Sequence, residues 1–104
     1  MQPANLLYIH TDQHNPFVTG CYGDSLVRTP NLDRLAASGA VFDQAYCASP
    51  ICVPSRMSML SGQHPVNNQV WTNNHCLDSS IPTHAHAIGA AGSRPVLIGR
   101  MPSV

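Results

Sequence analysis

The stretch Cys52-Val53-Pro54-Ser55-Arg56, running on through Met57-Ser58-Met59-Leu60 to Ser61-Gly62, holds the residues of this chain best placed to do chemistry. A small nucleophile-type side chain stands just ahead of a proline, which has no backbone N–H and is favoured at the start of a helix. Nothing from Ser55 to Leu60 breaks a helix, and Gly62 is placed to end one. The spacing therefore predicts Cys52 at a helix N-terminus, where free N–H groups and the dipole favour negative charge. Arg56, one turn further on, adds a fixed cation, and together these features describe a place for an oxyanion. Both would favour a Cys52 thiolate. No His–Asp pair is spaced to serve it as a cysteine hydrolase, and the alternative for a free thiol is burial as a small apolar residue. Asp12-Gln13 pairs a carboxylate with an amide carbonyl, a donor set for a hard divalent cation. The alternative for Asp12 is a turn or helix cap.

The elements that must hold these groups follow from pattern. Residues 6–9 form a continuous apolar run of strand length, with Asp12 just beyond its C-terminal end. That edge is where open α/β sheets place ligands. Residues 14–28, with Pro16, Gly20, Gly23 and Asp24, show no sustained period and read as loop. Thr29 or Asn31 caps a helix through Ser38, with Leu32, Leu35 and Ala36 on one face and Gly39 as its stop. Residues 41–46 alternate as a second strand, and residues 49–53 lead into the helix at Pro54. Residues 63–80 are polar and asparagine-rich, a surface wrap near the cysteine motif. A third helix begins at Ile81-Pro82-Thr83, with His84, Ile88 and Ala91 spaced along it and Gly92 as its end. Residues 95–99 read as a last buried strand. The expected fold class is α/β, a sheet with crossover helices.

Composition narrows the function classes. Lys and Arg number five, as do Asp and Glu, so nothing favours a nucleic-acid partner or a membrane surface. No apolar run approaches the roughly 20 residues needed to span a bilayer. The start, Met1-Gln2-Pro3-Ala4-Asn5, lacks the basic and long apolar regions of a signal peptide, so a cytoplasmic location is expected. There the four cysteines, Cys21, Cys47, Cys52 and Cys76, are expected as thiols, two disulfides being the alternative in an oxidising compartment. Cys47 and Cys52 have no second close pair with which to hold zinc. The six histidines fall into no metal-ligand pattern and are read as structural.

C-x-P-S-R-x4-S-G, from Cys52 to Gly62, resembles the signature of the type I sulfatases, in which the cysteine is oxidised after translation to formylglycine. Asn5-Leu6-Leu7-Tyr8-Ile9-His10-Thr11-Asp12-Gln13 is similar to that family's first strand and its metal-binding carboxylate. Thr29-Pro30-Asn31-Leu32-Asp33-Arg34-Leu35-Ala36-Ala37-Ser38-Gly39 is similar to the helix that follows. Three segments in family order are far more specific than the cysteine motif alone. The resemblance implies the N-terminal part of an alkaline-phosphatase-like sheet flanked by helices, with residues 1–104 a truncated portion of a larger catalytic domain. It implies a sulfuric ester hydrolase acting on a small-molecule or glycan sulfate ester, inactive as this piece alone. The alternatives are a phosphonate or phosphate monoester hydrolase of the same superfamily, a nonfunctional remnant, or a small metal-binding or interaction module.

By the same resemblance Cys52 and Arg56 are catalytic, Asn73 and Arg100 bind substrate, and Asp12, Gln13 and Cys52 belong to the metal site. The register leaves Asn73 and its neighbour Asn74 to be told apart. The cation implied is calcium, with magnesium and manganese as alternatives, and the partner implied is a formylglycine-generating enzyme. One hydroxyl of the hydrated formylglycine attacks sulfur, and the second lets the sulfated intermediate collapse back to the aldehyde. Arg56 orients that hydrate. The end of the chain departs from the family, with Pro102 standing where a histidine follows the basic residue and its spacer, here Arg100 and Met101.

Overall fold

Thr29-Pro30 opens the first helix, since proline at the first helical position forfeits only an N–H that has no partner within the helix. The computed structural model, which describes residues 5–99, shows α1 at Pro30–Ser38, α2 at Cys52–Ser61, α3 at Pro65–Asn68 and α4 at His84–Ala90. Contacts divide the chain into two compact units, Met1–Ala45 and Tyr46–Val104. No helix among the described residues is long and apolar enough to cross a membrane.

In the first unit the predicted loop is a loop, but a hydrogen-bonded one. Short 3-10 turns occupy Pro16–Val18 and Gly20–Tyr22, the first capped by the Asn15 side chain, which accepts the Phe17 N–H at 3.0 Å. The Thr29 hydroxyl accepts the Gly20 N–H at 2.8 Å and donates to Asp33 Oδ1 at 3.0 Å, joining the second turn to α1. A Cβ at Gly20 would lie 2.7 Å from both Asp33 carboxylate oxygens, so any larger residue there would have to displace the Asp33 side chain. Thr19 is buried, with its hydroxyl 2.6 Å from His14 Nε2.

In the second unit α2 carries the core. Val53, Met57 and Leu60 recur at helical spacing on one face and pack with Val70 and Leu77. Pro54 is the third residue of α2, a position whose N–H has no partner within the helix, so proline costs nothing there. Gly62 ends α2 in the left-handed conformation at φ 69°. α3 lies inside the stretch read from sequence as polar surface wrap, and it packs on α2. α4 begins three residues later than expected because Thr83 serves as its cap. The Thr83 N–H donates to His86 Nδ1 at 3.1 Å, and the Thr83 hydroxyl lies 2.8 Å from the same nitrogen. Among the described residues every buried side-chain nitrogen or oxygen has a partner.

The expected α/β sheet is not formed, and the described residues are helix, turn and irregular chain with no strand. Residues 6–9, 41–46 and 95–99 join no strand ladder among the described residues, and their apolar side chains face outward, with Leu7 82% and Ile98 91% exposed. The reason is physical. A strand is held by ladder bonds to a neighbour, and a run buried on both faces needs partners on both edges and cover above and below. Three apolar runs meet the compositional requirement for such a sheet without supplying the neighbours.

Two aspartates, Asp24 half-buried and Asp78 exposed, act as turn pins with a pH signature. Asp24 Oδ1 accepts the N–H groups of Leu26 at 2.7 Å and Val27 at 2.8 Å, and Asp78 Oδ1 accepts that of Ser80 at 2.8 Å. The bond from Val27, then that from Leu26, lowers the Asp24 pKa from 3.8; hydrogen bonds from Ser80 do the same for Asp78. A depressed carboxyl contributes stability above its unfolded value and loses it as pH falls through the folded value. Both turns are therefore expected to open only in acid, with the Leu26, Val27 and Ser80 amide resonances titrating below the ordinary aspartate midpoint of 3.8. Midpoints at or above that value would contradict the pinning.

Candidate functional site

The chain reaches α2 through Ile51, whose extended backbone (φ −109°, ψ 139°) sets the N-cap position but whose aliphatic side chain can cap nothing. Cys52 is the first helical residue and its side chain is exposed. The Ser55 N–H makes the first helical bond, to the Ile51 carbonyl at 2.9 Å. Pro54 has no N–H. The Val53 N–H donates to Asn73 Oδ1 at 3.0 Å, across 20 positions of sequence. The expectation of free first-turn N–H groups is thereby corrected, since three successive positions after Cys52 have none to offer. What remains positive at this helix end is the Cys52 N–H, the dipole and Arg56.

Arg56 sits one turn after Cys52, so the two share a helix face with Cβ atoms about 5–6 Å apart. It is 9% exposed and makes an interaction within the structure. A guanidinium presents a planar fork of donors, which suits anionic oxygens.

Asn73 is placed by its own loop. The Trp71 N–H donates to His75 Nδ1 at 2.9 Å, the His75 N–H to the Thr72 carbonyl at 3.2 Å, and the Asn74 N–H to the Thr72 hydroxyl at 3.2 Å. These bonds fold residues 71–75 into a turn, and Asn73, rather than Asn74, is the one bonded to α2. The Val53 N–H can only donate, so it fixes which end of the amide faces it. The Asn73 NH2, with two hydrogens, is the end left for a ligand.

The other site residues fall elsewhere. Asp12 and Gln13 are adjacent, exposed and irregular in the first unit, and Asp12 makes an interaction of its own. Arg100, Met101 and Pro102 lie outside the described residues. The structure thus groups Cys52, Arg56 and Asn73 in one unit and Asp12 and Gln13 in the other. Among the described residues no three His, Cys, Asp or Glu side chains are grouped to hold a metal. A hard cation takes about six oxygen ligands, so the donors grouped among the described residues do not make a complete cation site. All four cysteines are thiols, and Cys47 Sγ donates to the Ser49 carbonyl at 3.1 Å.

Two residues that organise the site carried no signal in the sequence. Asn68 is buried and bonds α2, the turn after it and Val70 together, and His75 closes the Asn73 turn. Each lies in a polar stretch with no period to mark it.

The Sulfatase family model matches residues 4–98. The chain is 34% identical over 100 residues to "Uncharacterized sulfatase YidJ" of Escherichia coli (strain K12), covering 96% of this chain and 20% of that protein. It is 38% identical over 97 residues to the choline-sulfatase of Rhizobium meliloti (strain 1021), covering 93% and 19%. It is 42% identical over 73 residues to the human N-acetylgalactosamine-6-sulfatase, covering 70% and 14%. The chain therefore spans about a fifth or less of the length of these relatives. No solved structure matches it.

Proposed function

The chain belongs to the sulfatase family, and from that premise we propose that it is the nucleophile-bearing part of a sulfuric ester hydrolase with Cys52 as the precursor of formylglycine. The observation that carries the proposal is the grouping at α2, where an exposed Cys52 begins the helix, Arg56 follows one turn on, and Asn73 is bonded to the same turn. Exposure leaves the thiol open to a formylglycine-generating enzyme. Formylglycine, once made, supplies a hydroxyl of its hydrate as the nucleophile toward sulfur.

This chain's residues do the rest of what is proposed. Arg56 offsets negative charge beside position 52 and orients the group there. The Asn73 NH2 donates to an anionic ester oxygen, the choice that its fixed amide leaves. Asp12 and Gln13 give part of a divalent-cation site, calcium first, with magnesium and manganese as alternatives. The remaining ligands belong to polypeptide beyond these residues. The α/β sheet implied by the family would likewise use residues 6–9, 41–46 and 95–99 as strands once neighbours are supplied. The substrate proposed is a sulfate ester of a small molecule or glycan, the range spanned by relatives named for choline and for N-acetylgalactosamine.

The test is to express the 104-residue chain with a formylglycine-generating enzyme, map its peptides by mass spectrometry and assay a chromogenic aryl sulfate with calcium or magnesium. The expected result is exchange of CH2SH for CHO at Cys52 and not at Cys21, Cys47 or Cys76, without metal-dependent multiple turnover. An unconverted Cys52 would remove the formylglycine reading. Turnover by this chain alone would show that its cation site is complete.

A further inference from the structure

α2 begins with a defect that its own sequence does not repair. Ile51 cannot cap, Cys52 and Val53 follow with no Ser, Thr, Asp or Asn beside them, and Pro54 contributes no N–H. An uncapped first turn frays, and the residue that frays first here is Cys52. The side chain that accepts the Val53 N–H comes from Asn73, 20 positions later, at 3.0 Å from the Val53 nitrogen. Its loop is itself pinned by the Trp71–His75 bond, so the cap is presented from an ordered turn.

We infer that Asn73 is a positioning residue for Cys52, serving as the N-cap that α2 lacks in its own sequence. The Oδ1 end of its amide holds the Val53 N–H and keeps the turn that carries Cys52 helical. This role is separate from any contact that the NH2 end makes with substrate. Its link to catalysis rests on the proposed role of Cys52, whereas the test below reads backbone order alone, so either can fail without the other.

The experiment compares the wild-type chain with Asn73→Ala and Asn73→Asp by NMR, reading hydrogen exchange of the Val53 amide and the Cys52 Cα shift, with the Met57 amide as internal reference. Asp keeps an acceptor where Asn has Oδ1, and Ala removes it. In Asn73→Ala, Val53 exchange is expected to rise about five- to tenfold relative to Met57 and the Cys52 shift to move toward coil. In Asn73→Asp both are expected to stay at wild-type values. If Ala loosens the whole unit while Asp keeps the native pattern, the acceptor is still shown to be what matters. Equal behaviour of Ala and Asp, whether both native-like or both frayed, overturns the inference.

Discussion

Alanine in place of Cys52, in a sulfatase polypeptide that includes this segment with the rest of its domain, is expected to lower aryl sulfate hydrolysis about ten-thousand-fold or more. The change removes the group that becomes the nucleophile. It should leave the fold intact, because the Cys52 side chain is exposed and belongs to no core contact, and alanine is the best helix former. Stability should therefore stay within about 0.5 kcal/mol of the parent. Arg56→Ala is the contrasting case, losing activity and stability together because Arg56 is buried and engaged. Steady-state kinetics beside thermal melts separate the two. Turnover retained by Cys52→Ala would sink the formylglycine mechanism.

The helices were legible from sequence wherever a local signal sufficed. Thr29-Pro30 and Gly39 bracket α1, Pro54 and Gly62 bracket α2, and Gly92 marks the end of α4, whose start at His84 falls three residues after the expected Ile81. These marks are prolines, glycines and a threonine that act on the backbone within a few residues, whereas the bond that caps the first turn of α2 comes from Asn73, 20 positions away. Strands are different, because their hydrogen bonds lie between segments and no local pattern supplies a partner. The apolar runs at 6–9 and 95–99 carry the composition of buried strands, yet they lie exposed. Pattern can therefore mark a segment as fit for a sheet without establishing that the sheet is present.

The site was legible in its anchor and not in its support. The Cys52 position at the start of α2 follows from Pro54 and the unbroken run after it. The state of the first-turn amides does not, because whether the Val53 N–H is open depends on Asn73, and that bond bridges 20 positions. The histidines illustrate the same limit. His86 and His75 each accept a backbone N–H from a near neighbour, a structural use that fits the absence of a metal-ligand pattern but whose geometry no spacing rule specifies.

The largest effect on stability is expected at Asn68. It is 2% exposed, donates to the Gln63 carbonyl at 3.1 Å and, at a longer 3.4 Å, to the hydroxyls of Ser58 and Ser61. Its Oδ1 accepts the N–H of Val70, which is itself wholly buried. Asn68→Ala strands the Val70 N–H and opens a cavity beside a core whose buried hydrophobics are Val53, Met57 and Val70. Each buried group left unsatisfied costs about 1–3 kcal/mol. The expected loss is about 2–4 kcal/mol, a large share of what a unit this small can hold. Asn68→Leu keeps the volume and removes the hydrogen bonds, so it separates packing from pairing. Asn68→Asp keeps the acceptor for Val70 but turns a carboxylate oxygen toward the Gln63 carbonyl, which cannot donate in return. Urea unfolding at constant m reads all three. Pairing predicts that Leu and Asp both fall well below wild type, whereas a Leu variant within about 0.5 kcal/mol of wild type would show that Asn68 serves only as filler.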